Sequence, residues 1–126
     1  MGVNTVLVVD DEQDVLQLLS TYLDLQGFSV VTASNGREAL TRLAECRPCV
    51  ILLDLMMPVM DGVEFRRRQQ QDPRWARIPV VCLSAKHDAH SLSASLRMDA
   101  CVSKPFDIDH VFDLVQHHCA RAEGSC

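Results

Sequence analysis

Long apolar runs are missing from this chain: no stretch of 18 residues is apolar enough to read as a membrane-crossing helix. There is no charged-then-apolar leader with a small-residue cleavage site and no low-complexity tract, so an unprocessed, cytoplasmic protein with no membrane role is expected. Basic residues are the scarcer sign, 12 Lys and Arg against 17 Asp and Glu, and the net charge of −5 disfavours direct nucleic acid binding. The one basic run, Arg66-Arg67-Arg68, reads as a solvated helix face, with a partner-docking patch as the sharper alternative.

Cysteine is not scarce. Six would mean a disulfide scaffold in a short, core-poor secreted chain, but here 48% of 126 residues are hydrophobic, enough for one compact domain, and the thiols are expected to be reduced. Cys46-Arg47-Pro48-Cys49 matches C-x-x-C, yet it closes a helix before a strand, whereas a redox motif opens a helix after one. Zinc would need two more ligands, and Cys82 and Cys101 sit in apolar strand-like runs, which favours structural thiols.

Apolar runs of strand length appear at Val6 to Val9, Ser29 to Ala33, Val50 to Leu53, Val80 to Leu83 and Cys101 to Ser103. Three are continuous rather than alternating, as in strands covered on both faces of a parallel sheet. Between them lie helical stripes: Val15, Leu18, Leu19 and Tyr22; Ala39, Leu40 and Leu43; Ile108, Val111, Phe112 and Val115. Two weaker helices complete the set, Gly62 to Asp72 on Val63 and Phe65, and about Asp88 to Met98 on Leu92 and Leu96. Gly27, Asn35-Gly36, Pro48, Pro73 and Pro79 punctuate the same divisions. Strict βα alternation predicts an α/β doubly wound five-stranded parallel sheet with right-handed crossovers and five helices.

In such sheets ligands gather beyond the carboxyl ends of the strands. Asp10 and Asp11 end the first strand, Asp54 the third and Ser84 the fourth, and Lys104 with Pro105 follows the fifth. Each alone has a plainer reading, as a helix cap, a turn residue or an exposed base. Together, three carboxylates repel one another by up to about 4 kcal/mol per pair at 4 Å. A hard cation offsets that, and sparse oxygen ligands with room for water fit Mg²⁺, with Mn²⁺ as a substitute. A cation, an ammonium and a hydroxyl beside carboxylates also describe a phosphoryl-transfer site, and Asp54, alone at the central strand's end, is the best placed nucleophile.

The stretches VLVVDDE, LQGFSVVTASNGREAL, VILLDLMMPVMDG, IPVVCLSA and VSKPF, in this order over residues 5 to 106, resemble the receiver domain of two-component response regulators. The resemblance implies a flavodoxin-like sheet of order 2-1-3-4-5. It also implies phosphorylation of Asp54 by a histidine kinase or histidine phosphotransfer protein, and a conformational signal to a downstream output domain or protein. Asp11, Asp54 and the Met56 backbone carbonyl would bind Mg²⁺, and Asp10 would act mainly through a water. Ser84, the Ala85 backbone amide and Lys104 would meet phosphoryl oxygens. Pro58 and Gly62 would shape the loop after the acceptor strand, and a cis bond before Pro105 would aim Lys104. Residues 1–121 would form the receiver and 122–126 a tail or linker, with a homodimer through the face of helix four, strand five and helix five as one assembly.

Three departures from the family pattern bear on that face: Cys101 where an aromatic switch residue is usual, Arg97 where glycine is frequent, and Gln69 in place of an apolar residue. Met56 and Lys86 flank the site where family members vary acyl phosphate hydrolysis, and a bulky Met56 implies a slow rate. The expected chemistry is self-phosphorylation and autodephosphorylation only, not turnover as an enzyme. A phosphate-ester hydrolase would need a cap and a second acid two residues after Asp54, where Met56 stands; a flavin binder would not follow its first strand with DDEQD. A degenerate receiver that docks or dimerises without phosphorylation is the remaining alternative.

Overall fold

A computed structural model of the chain describes residues 4–85 and 94–124. The elements run β1 (Thr5–Val9), α1 (Gln13–Leu25), β2 (Ser29–Ala33), α2 (Gly36–Glu45), β3 (Val50–Asp54), α3 (Gly62–Gln71) and β4 (Val80–Ala85). A helix whose described part is residues 94–96 (α4) follows, then β5 (Ala100–Lys104) and α5 (Ile108–Gly124). The beginning of the expected fourth helix, with Leu92, lies outside the described residues, as does Lys86. The final helix continues to Gly124, past the Arg121 expected.

All pairings are parallel and the sheet order is β2-β1-β3-β4-β5, as expected. The continuous apolar runs have a simple cause. Val6, Val8, Val50 and Leu52 face one layer, where Leu16, Leu19 and Leu23 of α1 and Val111 and Val115 of α5 pack. Leu7, Val9, Ile51 and Leu53 face the other, against Ala39 and Leu43 of α2 and Phe65 of α3. With both faces covered, period-two alternation disappears.

Several expectations are corrected here. Leu18, read into the stripe of α1, is 51% exposed, and Leu16 and Leu23 take the core positions. Arg66 is buried rather than on a solvated face: its Nε donates to the Leu96 carbonyl at 3.0 Å, and its other nitrogens to Gln69 Oε1 and the Arg97 carbonyl. Burial lowers the Arg66 pKa, against the pull of Asp99. Gln69 is buried too, donating to the carbonyls of Trp75 and Ile78. A polar pair thus shares the packing of α3 with Phe65, because loop carbonyls there need donors. Arg97 adopts φ 55°, the left-handed region where glycine carries no Cβ penalty.

The expectation of reduced thiols throughout is also overturned. Cys49, just before β3, and Cys119, near the end of α5, form a disulfide with Cα atoms 4.9 Å apart across 70 residues of sequence. The spacing falls in the range a disulfide needs, and it arises because α5 lies over the start of the central strand. Cys46, Cys82 and Cys101 are free thiols, as expected of them.

Candidate functional site

Each strand delivers its polar end to the same rim. β1 stops at Asp10, which is fully buried and whose Oδ1 accepts from the Glu12 amide at 2.9 Å, starting the turn into α1. β3 ends at Asp54, 5% exposed, whose Oδ1 accepts from the Met56 amide at 3.3 Å. The turn role and the site role therefore coexist in these carboxylates. Ser84 is buried one position beyond Leu83, the register partner of Asp54, and Ala85 pairs in register with Lys104.

Lys104 joins the rim from β5, and its peptide bond to Pro105 is cis, as the resemblance implied. Its Nζ donates to Asp10 Oδ2 at 2.7 Å and Glu12 Oε1 at 2.8 Å and stands 3.6 Å from Asp54 Oδ2. Burial would lower the Lys104 pKa, but the hydrogen bonds to Asp10 and Glu12 and the nearby carboxylate charges hold it up. Glu12 is a site residue the sequence reading does not pick out; its signal is a third acid two positions after Asp10.

Asp10, Asp11 and Asp54 each offer a carboxylate oxygen within 4.8 Å of the others. The donor set fits a hard divalent cation: oxygens only, with Asp11 exposed and the cluster open to water. The strain of this arrangement is visible at Asp54, whose pKa is raised to about 6 by burial and by the Asp10 charge, against the pull of Lys104 and the Met56 amide.

The loop after β3 closes against the site. Gly62 has no room for a Cβ, which would run into the Asp54 carbonyl, and its amide donates to Leu55 at 3.0 Å. Val59, beside Pro58, adopts φ 69°, a costly conformation for a β-branched residue. Met56 projects its side chain 67% exposed. All seven expected site residues except Ala85, whose side chain is not described, thus have a described place on this rim or in the turn that leaves it.

Comparison with known proteins agrees with this geometry. Residues 6–116 match the family model described as the response regulator receiver domain. The regulatory protein AtoC of Escherichia coli is 39% identical over 117 residues, 91% of this chain and 25% of that protein. The alkaline phosphatase synthesis transcriptional regulatory protein PhoP of Bacillus subtilis is 35% identical over 94% of this chain and 49% of its own length. The chain thus spans a quarter to a half of these relatives. The receiver domain of the Francisella response regulator 1452 superposes with a TM-score of 0.86 at 28% identity, covering 94% of this chain and 98% of that one. A rim of buried acids and one lysine on a 2-1-3-4-5 sheet and a family match across most of the sequence lead to one conclusion: the chain belongs to the response regulator receiver domains of two-component systems.

Proposed function

We propose that Asp54 accepts a phosphoryl group from the phosphohistidine of a histidine kinase or histidine phosphotransfer protein. The observation that carries this reading is the convergence of Lys104 on Asp10 and Asp54 from the far end of the sequence. In the transfer, an Asp54 carboxylate oxygen bonds to phosphorus, the phosphorus–nitrogen bond breaks and the imidazole leaves with a proton from solvent. Lys104 would exchange Glu12 for a phosphoryl oxygen, and Ser84 and the Ala85 amide would donate to the others. Asp11, Asp54 and the Met56 carbonyl would hold Mg²⁺, or Mn²⁺, with Asp10 acting through water. When bound, the cation supplies positive charge that lowers the Asp54 pKa and offsets charge on the phosphoryl oxygens.

The same reading takes residues 1–121 as the phosphorylated unit, located in the cytoplasm, signalling to an output domain or protein. A homodimer through α4, β5 and α5 is one assembly it allows. The exposed Met56 would shield the acyl phosphate and slow its hydrolysis. Intact carboxylates and lysine speak against a degenerate docking module, which has no need of them. The test is incubation with acetyl phosphate. One phosphoryl group should be added per chain with Mg²⁺, none after chelation and none in Asp54→Asn; uptake that ignores Mg²⁺ or survives Asp54→Asn would overturn the reading.

A further inference from the structure

We propose that Cys82 and Cys101 form a dithiol site that hydrogen peroxide oxidises to a disulfide joining β4 to β5 beside Ser84. The two cysteines are register partners on adjacent parallel strands, and both side chains belong to the layer covered by α2 and α3. Neighbouring strands lie about 4.8 Å apart, inside the Cα window of a disulfide. That is close to the 4.9 Å at which Cys49 and Cys119 are bonded. Cys101 is near enough to perturb the Cys82 thiol, and Cys82 Sγ lies 3.6 Å from Ser84 Oγ.

The two sulfurs have unequal parts. Cys82 is fully buried, and burial together with the Cys101 contact pushes its thiol up to about 12, so it does not start the reaction. Cys101 is only partly buried, on the edge strand, and meets an oxidant first. Its thiolate attacks a peroxide oxygen, the oxygen–oxygen bond breaks, and one water leaves with the proton Cys101 gave up. The Cys82 sulfur then attacks the sulfenic sulfur, the sulfur–oxygen bond breaks, and a second water leaves with the Cys82 proton. Two thiols lose two electrons in all and the peroxide gains them. The new bond would take Cys82 away from Ser84 and fix β4 to β5 two residues before Ser84 and three before Lys104. Its effect on phosphorylation rests on the function proposed above; the bond itself does not.

The experiment treats the full chain and its Cys101→Ser variant with hydrogen peroxide and maps peptides without reduction. A linked Cys82–Cys101 peptide is expected in the first and unmodified Cys82 in the second, with Cys49–Cys119 intact in both. The site is overturned if Cys101 stays reduced, stops at a sulfur acid, or if Cys82 links elsewhere. A Cys46→Ser background removes one bystander thiol while leaving these outcomes readable. Acetyl phosphate uptake should then be roughly tenfold slower in the linked protein than in the reduced one, a donor shifted rather than lost, whose removal costs roughly a hundredfold or more. Unchanged uptake in linked protein overturns the coupling to Ser84. Absent uptake in the reduced protein instead overturns the receiver chemistry and leaves the dithiol intact.

Discussion

At the carboxyl end of the sheet, Asp10 and Asp54 are buried with Asp11 within 4.8 Å, and one ammonium serves the buried pair. At the amino end of the same central strand, Cys49 is bonded to Cys119 among apolar side chains, and the strand entries close with backbone hydrogen bonds such as Cys49 N to the Thr5 carbonyl at 2.8 Å. One end gathers like charge that the fold must restrain; the other is covalently closed, and its buried Arg66 is matched by the carbonyls of Leu96 and Arg97. The difference assigns separate duties to the two ends. The proposed chemistry sits where the native state is electrostatically least comfortable, and the opposite end supplies restraint.

Substitutions at the two ends should therefore act in opposite ways. The largest effect is expected at the base. Cys119→Ser removes a closure across 70 residues and should lower unfolding free energy by about 4 kcal/mol in denaturant titrations. It should leave the rate of phosphoryl uptake unchanged; a slowed rate would show that the ends are not independent.

Lys104→Ala should do the reverse of that separation, slowing uptake from acetyl phosphate roughly a hundredfold, about 3 kcal/mol, by removing the cation proposed to meet the phosphoryl oxygens. Wild-type uptake rates would mean that Lys104 serves only to neutralise the acids.

Asp54→Asn should stabilise the metal-free protein by about 3 kcal/mol above neutral pH. The sign follows from the raised Asp54 pKa, about 6 against 3.8 for the free group: the folded state holds the proton more tightly, so stability falls as pH rises through roughly 4 to 6. The variant should flatten that slope in thermal melts, and Mg²⁺ should recover stability only in the parent. A slope unchanged in Asp54→Asn would place the rim's discomfort on another group.

The smallest effect is expected in the loop. Val59→Gly should raise stability by about 1 kcal/mol by relieving the positive φ, less the extra freedom glycine has when unfolded. A loss of stability would mean that the side chain packs more usefully than its exposure indicates.

The rim was legible in the sequence because a parallel strand announces itself as an apolar run, and what stops the run is what reaches the edge; Asp10, Asp54 and Ser84 are all found that way. The phase of α1 was not, because VLQLLSTYLDL offers leucines on several sides and only the sheet decides between Leu18 and Leu16. Arg66 was misread since its partners, the carbonyls of Leu96 and Arg97, lie 30 and 31 residues away and have no side-chain signature. The Cys49–Cys119 bond and the Cys82–Cys101 pair escaped for the same reason: local spacing favoured comparing Cys49 with Cys46, whereas topology pairs it across most of the chain.

Locating the acyl phosphate itself tests the central claim most directly. After reaction with acetyl phosphate and Mg²⁺, borohydride reduction converts a phosphorylated aspartate to homoserine, which peptide sequencing by mass spectrometry reads at a single position. Homoserine at residue 54, and nowhere else, is the result expected. Homoserine at residue 10 or 11, or at none of the three, would contradict the assignment of the rim as a phosphoryl site centred on Asp54.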